Sequence, residues 1–223
     1  MSTDRRRPPW LDAAIFEYIA ERAAQPDDVL ADLAAETAEV TGRAAGMQIG
    51  DDQGALLRLL TALTGARLAV EIGTFTGYSS ICIARGLAPN GRLWCFDISE
   101  EYTAVARRAW SRAGLDDRIE LTIGPAAESL GILPDEPVDF AFIDADKTGY
   151  LGYVEALLPR MRQNGLICVD NTLWGGSVAS PPADGPDPDT AALIEFNDTI
   201  AADERVDSFI LPVGDGVTLI RTR

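Results

Sequence analysis

From Leu68 onward the chain alternates short apolar runs with longer amphipathic runs, and this alternation restricts its possible folds more than any other feature. The first run, Leu68-Ala69-Val70-Glu71-Ile72, leads through a glycine loop into a helical pattern from about Tyr78 to Gly86. Strand-length runs recur at Arg92 to Phe96, Ile119 to Ile123, Val138 to Ile143, Leu166 to Val169, Ser208 to Leu211 and Val217 to Ile220. Helical spacing lies between them near Glu101 to Ala113, Tyr150 to Met161 and Thr190 to Ala202. Strands that are apolar on both faces need cover on both faces, and a strand–helix repeat joins parallel neighbours. The pattern predicts an α/β protein with a seven-stranded, mostly parallel sheet and helices on both faces. Only Pro212-Val213-Gly214-Asp215-Gly216 separates the last two runs, a hairpin length that makes one terminal strand antiparallel.

Three helices are expected before the sheet, from Trp10 to about Ala24, from Asp27 to about Val40 and from Asp51 to Leu63, the last stopped by Thr64-Gly65. They read as a helical cap over residues 1–64 on a core of residues 65–223, within one domain, because 223 residues bury one sizeable core and not two. The formal charge of −16 repels phosphate backbones and anionic membrane surfaces, and the one basic run, Arg5-Arg6-Arg7, stands at the N-terminus. No nucleic-acid or membrane partner is expected, and a small neutral or cationic ligand is easier to accommodate. No stretch approaches the ~20 apolar residues of a membrane span, and the N-terminus lacks the apolar core of a signal peptide. Cys82, Cys95 and Cys168 fall in apolar segments without C-x-x-C spacing, as buried thiols of a reducing, cytoplasmic compartment do. Histidine is absent, so a base acting near neutral pH is a lysine, a carboxylate or a tyrosine, and no metal ligand is an imidazole.

In doubly wound sheets ligands sit beyond the carboxyl ends of the strands, which makes Gly73-Thr74-Phe75-Thr76-Gly77 the first candidate binding loop. Its G-x-x-x-G spacing is not the G-x-G-x-x-G of dinucleotide sites, and Glu71 stands where a pyrophosphate would be repelled. Asp97 ends the next strand, where a carboxylate can accept bonds from two ribose hydroxyls. Either acid alone is as well explained by helix capping; the combination favours a nucleoside cofactor.

Five segments then carry a resemblance: VEIGTFTGYSS (Val70 to Ser80), FDISEEY (Phe96 to Tyr102), GPAAESL (Gly124 to Leu130), FIDADKTGY (Phe142 to Tyr150) and VDNTLWGG (Val169 to Gly176). In that order they resemble the cation-dependent class I O-methyltransferases, the group of catechol and caffeoyl-coenzyme A O-methyltransferases, and most of all its bacterial small-molecule members. The resemblance runs from about Met47 to the C-terminus and implies a Rossmann-like methyltransferase core. It implies S-adenosylmethionine as cofactor, with Glu71, Gly73, Thr74 and Ser79 at the methionine moiety and ribose, Asp97 on the ribose hydroxyls and Ala126 at the adenine. Met47 would close over the pocket, and Asp144 would face both cofactor and metal. It also suggests a homodimer.

By the same resemblance Asp144, Asp170 and Asn171 hold a divalent cation. Neighbouring parallel strands lie ~4.8 Å apart, so these oxygens can converge. Two carboxylates and an amide suit a hard ion, magnesium first, with calcium or manganese as alternatives. Lys147 becomes the general base; because a free lysine amine is protonated at neutral pH, that role calls on the adjacent cation and on desolvation. Asp146 is a substrate-contacting acid or a solvated loop carboxylate, and Trp174, Tyr150 and Trp10 wall an aromatic substrate or fill the core. Residues Gly175 to Asp189 form a Gly/Pro-rich loop expected to act as a lid. The plant coenzyme A enzymes carry an asparagine where Gly175 stands, so a catechol-like metabolite is the expected acceptor, with a caffeoyl-CoA-type thioester as the alternative. A nucleoside-binding module without activity is the reading from another class.

Overall fold

The computed structural model describes residues 13–22, 25–182 and 185–223. A seven-stranded sheet has the order β3-β2-β1-β4-β5-β7-β6. Its strands are β1 Leu68–Ile72, β2 Arg92–Asp97, β3 Ile119–Ile123, β4 Val138–Ile143, β5 Met161–Val169, β6 Val206–Leu211 and β7 Val217–Thr222. The first five pair in parallel, and β7 runs antiparallel to both β5 and β6. The expected architecture is the one observed.

Helices α1 Ala13–Ala20, α2 Asp28–Thr41 and α3 Asp51–Thr64 precede the sheet, and α4 Tyr78–Gly86, α5 Glu100–Ala113, α6 Ala126–Ser129, α7 Tyr150–Leu157 and α8 Pro188–Ala202 follow or link its strands. Asp27 caps α2 by accepting from Leu30 N, and Ser99 caps α5 by accepting from Tyr102 N. The outer parts of the first expected helix, with Trp10, lie outside the described residues.

Three boundaries differ from expectation. α7 stops at Leu157 because Pro159 has no N–H to continue it, and Met161 opens a strand instead of ending a helix. β5 starts early because Met161 pairs with Val138 before the register shifts to Phe140 opposite Leu166, with Asn164, at φ 59, in the irregular stretch between. α8 begins at Pro188, preceded by Asp187, whose carboxylate accepts from Asp189 N and Thr190 N.

The core has two layers, one on each face of the sheet. Phe140 and Phe142 of β4 pack with Leu33, Leu57 and Ile81 on one face, while Ala141 and Ile143 pack with Val154, Leu193 and Phe196 on the other. This is the period-two alternation of a strand buried on both sides. Each fully buried Phe or Ile contributes about 1.5–3 kcal/mol. Strand order reverses between β1 and β4, so the loops after these two strands diverge and leave a crevice at the sheet's carboxyl edge.

Candidate active site

A cavity of about 1070 Å³ occupies that crevice. Gly73 marks its floor. It has φ +88, and a Cβ there would stand 2.0 Å from Asp144 O, so only glycine lets the β1 loop lie against the end of β4. Thr74, buried Ser79 at the start of α4, and Ala126 at the start of α6 line the same end of the cavity. Met47, 59% exposed and last in the turn Gly42–Met47, stands at the mouth.

Asp97 supports the glycine loop directly. Its Oδ2 accepts from Thr74 N and Phe75 N, both at 2.8 Å, and its Oδ1 from Ser99 N at 2.7 Å. Two carboxylate oxygens offer about four acceptor positions, so capacity remains for a ligand's hydroxyl. Glu71 is fully buried and does not itself line the cavity, although its neighbours Thr74 and Ser79 do. Its Oε2 accepts from Cys95 Sγ at 3.3 Å, and its Oε1 has no partner among the described residues. Burial pushes the carboxyl up to about 8, against the lowering effect of neighbouring Ser79, Cys95 and Thr74.

At the other end, Lys147 brings the predicted reaction residues together. Its Nζ donates to Asp144 Oδ1 at 3.1 Å, Asn171 Oδ1 at 2.6 Å and Tyr150 OH at 2.6 Å. Asp170 lies beside them, 2% exposed, its Oδ1 accepting from Asn171 N at 2.7 Å. Burial raises Asp144, opposed by the Lys147 charge, and burial together with the Asp144 charge raises Asp170 to about 6. Two desolvated carboxylates side by side therefore face a single ammonium, and the shortage of positive charge suits a further cation. Among the described residues no group of three or more His, Cys, Asp or Glu is placed to hold a metal ion, and the oxygens gathered here are those of Asp144, Asp170 and the Asn171 amide. The donor set is all oxygen and fits a hard divalent ion.

Asp146 and Trp174 also line the cavity; Tyr150 does not. Tyr150 is fully buried beneath Lys147, donates to Asp170 O at 3.1 Å and stacks edge-on against Phe196. Of the two readings for Tyr150 this is the core one; Tyr153 lines the cavity, and its OH donates to Asp146 Oδ1 at 2.6 Å. Gln53, Gly214 and Asp215 are further wall residues absent from the sequence reading. The PVGDG segment was legible as a hairpin, while its approach to the site depends on strand order; Gln53 carries no motif signal of its own. In the expected lid, residues 183 and 184 lie outside the described residues.

A doubly wound sheet thus carries a glycine loop after β1, a carboxylate ending β2 and an acid–lysine cluster beyond β4 and β5. The O-methyltransferase family model matches residues 20–223, and the chain belongs to that family. It is 39% identical over 211 residues to "Probable caffeoyl-CoA O-methyltransferase 2" of Dictyostelium discoideum, covering 93% of this chain and 90% of the relative. With the caffeoyl-CoA O-methyltransferase of Eucalyptus gunnii it shares 36% identity over 219 residues, 93% of this chain and 87% of the other. Among solved structures, an O-methyltransferase from Bacillus cereus in complex with SAH matches with a TM-score of 0.84 and 32% identity, covering 94% of this chain and 97% of that one. TomG from Streptomyces achromogenes, an O-methyltransferase involved in tomaymycin synthesis and solved with SAM, matches with a TM-score of 0.84 and 29% identity over 94% and 96% of the two chains. The enzyme is thus an S-adenosylmethionine-dependent O-methyltransferase. Among the described residues no helix is long and apolar enough to cross a membrane.

Proposed function

We propose that the enzyme methylates a hydroxyl of a small catechol-like aromatic metabolite and requires a divalent cation, magnesium first. The observation that carries this reading is the meeting of Asp144, Asn171 and Lys147 at hydrogen-bond distance, with Asp170 beside them, in the cavity that also holds the glycine loop. Asp144, Asp170 and Asn171 are the residues that would hold the ion. When bound, it supplies Lewis acidity that favours the phenolate form of an acceptor hydroxyl and a chelating fit for two vicinal oxygens.

Lys147, with its side chain 10% exposed, would take the hydroxyl proton as a neutral amine, a form that a bound cation beside it would favour. The acceptor oxygen forms its bond to the methyl carbon as the carbon–sulfur bond breaks, and the electron pair stays on sulfur to give S-adenosylhomocysteine. Gly73, Thr74, Ser79, Asp97 and Ala126 keep the donor at one end of the cavity, while Trp174, Asp146 and Tyr153 bound the acceptor end, which supplies near-attack geometry. The full burial of Glu71 makes it a support for the donor subsite.

The relatives named as caffeoyl-CoA O-methyltransferases favour a second reading, a caffeoyl-CoA-type thioester as acceptor. One assay separates the two: methyl transfer from S-adenosylmethionine to catechols, monophenols and a caffeoyl thioester, each with magnesium and with chelator. Turnover of free catechols only with metal is expected; metal-independent turnover or thioester preference refutes the corresponding part. Light scattering tests the homodimer expected from the resemblance.

A further inference from the structure

The turn between β6 and β7 reaches the acceptor end of the cavity through Gly214 and Asp215 and grips the segment that follows Asn171. Thr172 N donates to Gly216 O at 3.0 Å and Leu173 N to Asp215 O at 2.9 Å, while Gly175 N donates to the side-chain Oδ1 of Asp215 at 2.7 Å. Gly216, at φ +89, lies so close to Leu173 that a Cβ there would stand 2.4 Å from Leu173 Cγ.

The gripped segment is strained. Asn171 at φ 55 and Trp174 at φ 48 are both in the left-handed region, followed by Gly175 at φ 59 and Gly176 at φ 89. A tryptophan in that conformation persists only when its surroundings impose it. Trp174 lines the cavity and holds its ring 5.7 Å from Lys147 Nζ, so its backbone conformation determines where one wall of the acceptor end stands. Among the described residues the turn's own side chains bond this stretch through Asp215, at the residue immediately after Trp174, and Thr172 Oγ1 donates to Gly216 O at 3.2 Å.

We propose that Asp215 is a positioning residue for the acceptor: its carboxylate oxygen, through Gly175 N–H, fixes Trp174 against the reaction end. The inference rests on the acceptor reading above. What Asp215 contributes is an acceptor oxygen at a fixed place, and its charge is incidental. Asp215→Asn keeps such an oxygen, whereas Asp215→Ala removes it.

The test combines acceptor kinetics, calorimetric binding of S-adenosylhomocysteine and tryptophan emission for wild type, D215A, D215N, W174F and D215A/W174F. D215A should raise the acceptor KM about ten-fold, as loss of one hydrogen bond does, with S-adenosylhomocysteine affinity unchanged. D215N should stay within about three-fold of wild type, and the double variant should lose no more than the larger single loss. The emission change caused by D215A should vanish in the W174F background. Equal losses in D215N and D215A, or losses that multiply in the double variant, overturn the proposal and make Asp215 a direct acceptor contact. If D215A fails to bind S-adenosylhomocysteine, D215N alone decides: wild-type-like kinetics support the proposal and a D215A-sized loss overturns it. If the wild type methylates no aromatic hydroxyl, the acceptor reading falls by itself. Emission then decides this one, and an unchanged Trp174 signal in D215A refutes it.

Discussion

Replacing Glu71 by glutamine should make folding stability less dependent on pH. Glu71 is fully buried, bonded on one oxygen to Cys95 and without a partner among the described residues on the other, and its carboxyl is pushed up to about 8 from 4.5. The folded chain thus keeps this proton through a window in which the unfolded chain has released it. Between about pH 4.5 and 8 the unfolded state binds fewer protons at this group, so raising the pH favours unfolding by ~1.4 kcal/mol per pH unit. Across the whole window the displacement corresponds to roughly 5 kcal/mol. Asp170, raised to about 6, acts in the same direction at lower pH but is present in both proteins. The glutamine keeps an oxygen for Cys95 and leaves an amide unpaired, a penalty of about 1–3 kcal/mol that does not vary with pH. Urea unfolding of the cofactor-free and metal-free proteins at several pH values from about 5.5 to 8.5 isolates the titrating part. Wild-type stability minus E71Q stability should fall by roughly 2.7 kcal/mol between about pH 5.5 and 7.5 and level off above about 8. A difference constant to within about 0.5 kcal/mol over that range would show that Glu71 is ionised in the folded chain and would refute the reasoning.

The remaining expectations concern the two ends of the cavity. Lys147→Met should lower kcat by about 10²–10⁴-fold with S-adenosylhomocysteine affinity kept, because among the described residues Nζ bonds to the reaction cluster alone; calorimetry and kinetics together check this. Asp97→Ala strips the partners from Thr74 N, Phe75 N and Ser99 N, and should weaken cofactor binding by at least about ten-fold in the same calorimetric titration, with a lower melting temperature. Gly73→Ala sets a Cβ 2.0 Å from Asp144 O at a strained φ, so it should damage cofactor binding and the acid–lysine cluster together. Retained affinity with normal turnover in G73A would show that the loop tolerates the displacement.

The sheet was legible because its strands are buried on both faces and read as near-continuous apolar runs, with the chemistry placed where those runs end. Asp97 is the last residue of β2, while Asp144 and Asp170 each follow the last residue of β4 and β5. An acid at a strand's carboxyl end needs no tertiary information to be found, only the strand. Glu71 was legible as an unusual residue in a central strand, but not its full burial: a side chain near the end of β1 can enter the crevice or lie clear of its wall, and the strand pattern does not say which. Tyr150 and Tyr153 show the same limit on a helix. Three residues apart, they share a side of α7 within about 60°, and the turn through Lys147 decides which is roofed over.

Asp215 was hidden for a different reason. Periodicity revealed the β6–β7 hairpin but not the order in which its strands join the sheet. Because β7 enters between β5 and β6, the turn lies one strand spacing, ~4.8 Å, from the end of β5 that carries Asp170 and Asn171. Were β6 the strand beside β5, the turn would remain at the carboxyl edge but its Gly216 end would move one spacing outward, beyond reach of Leu173. The contact of Gly216 with Leu173 and the bond from Gly175 to Asp215 therefore belong to this strand order and to no local signal. The same order explains why the strained residues cluster after β5: a backbone held on one side by Asp144 and Lys147 and on the other by a hairpin turn has no room for an ordinary strand exit, and Asn171 and Trp174 take up the deviation.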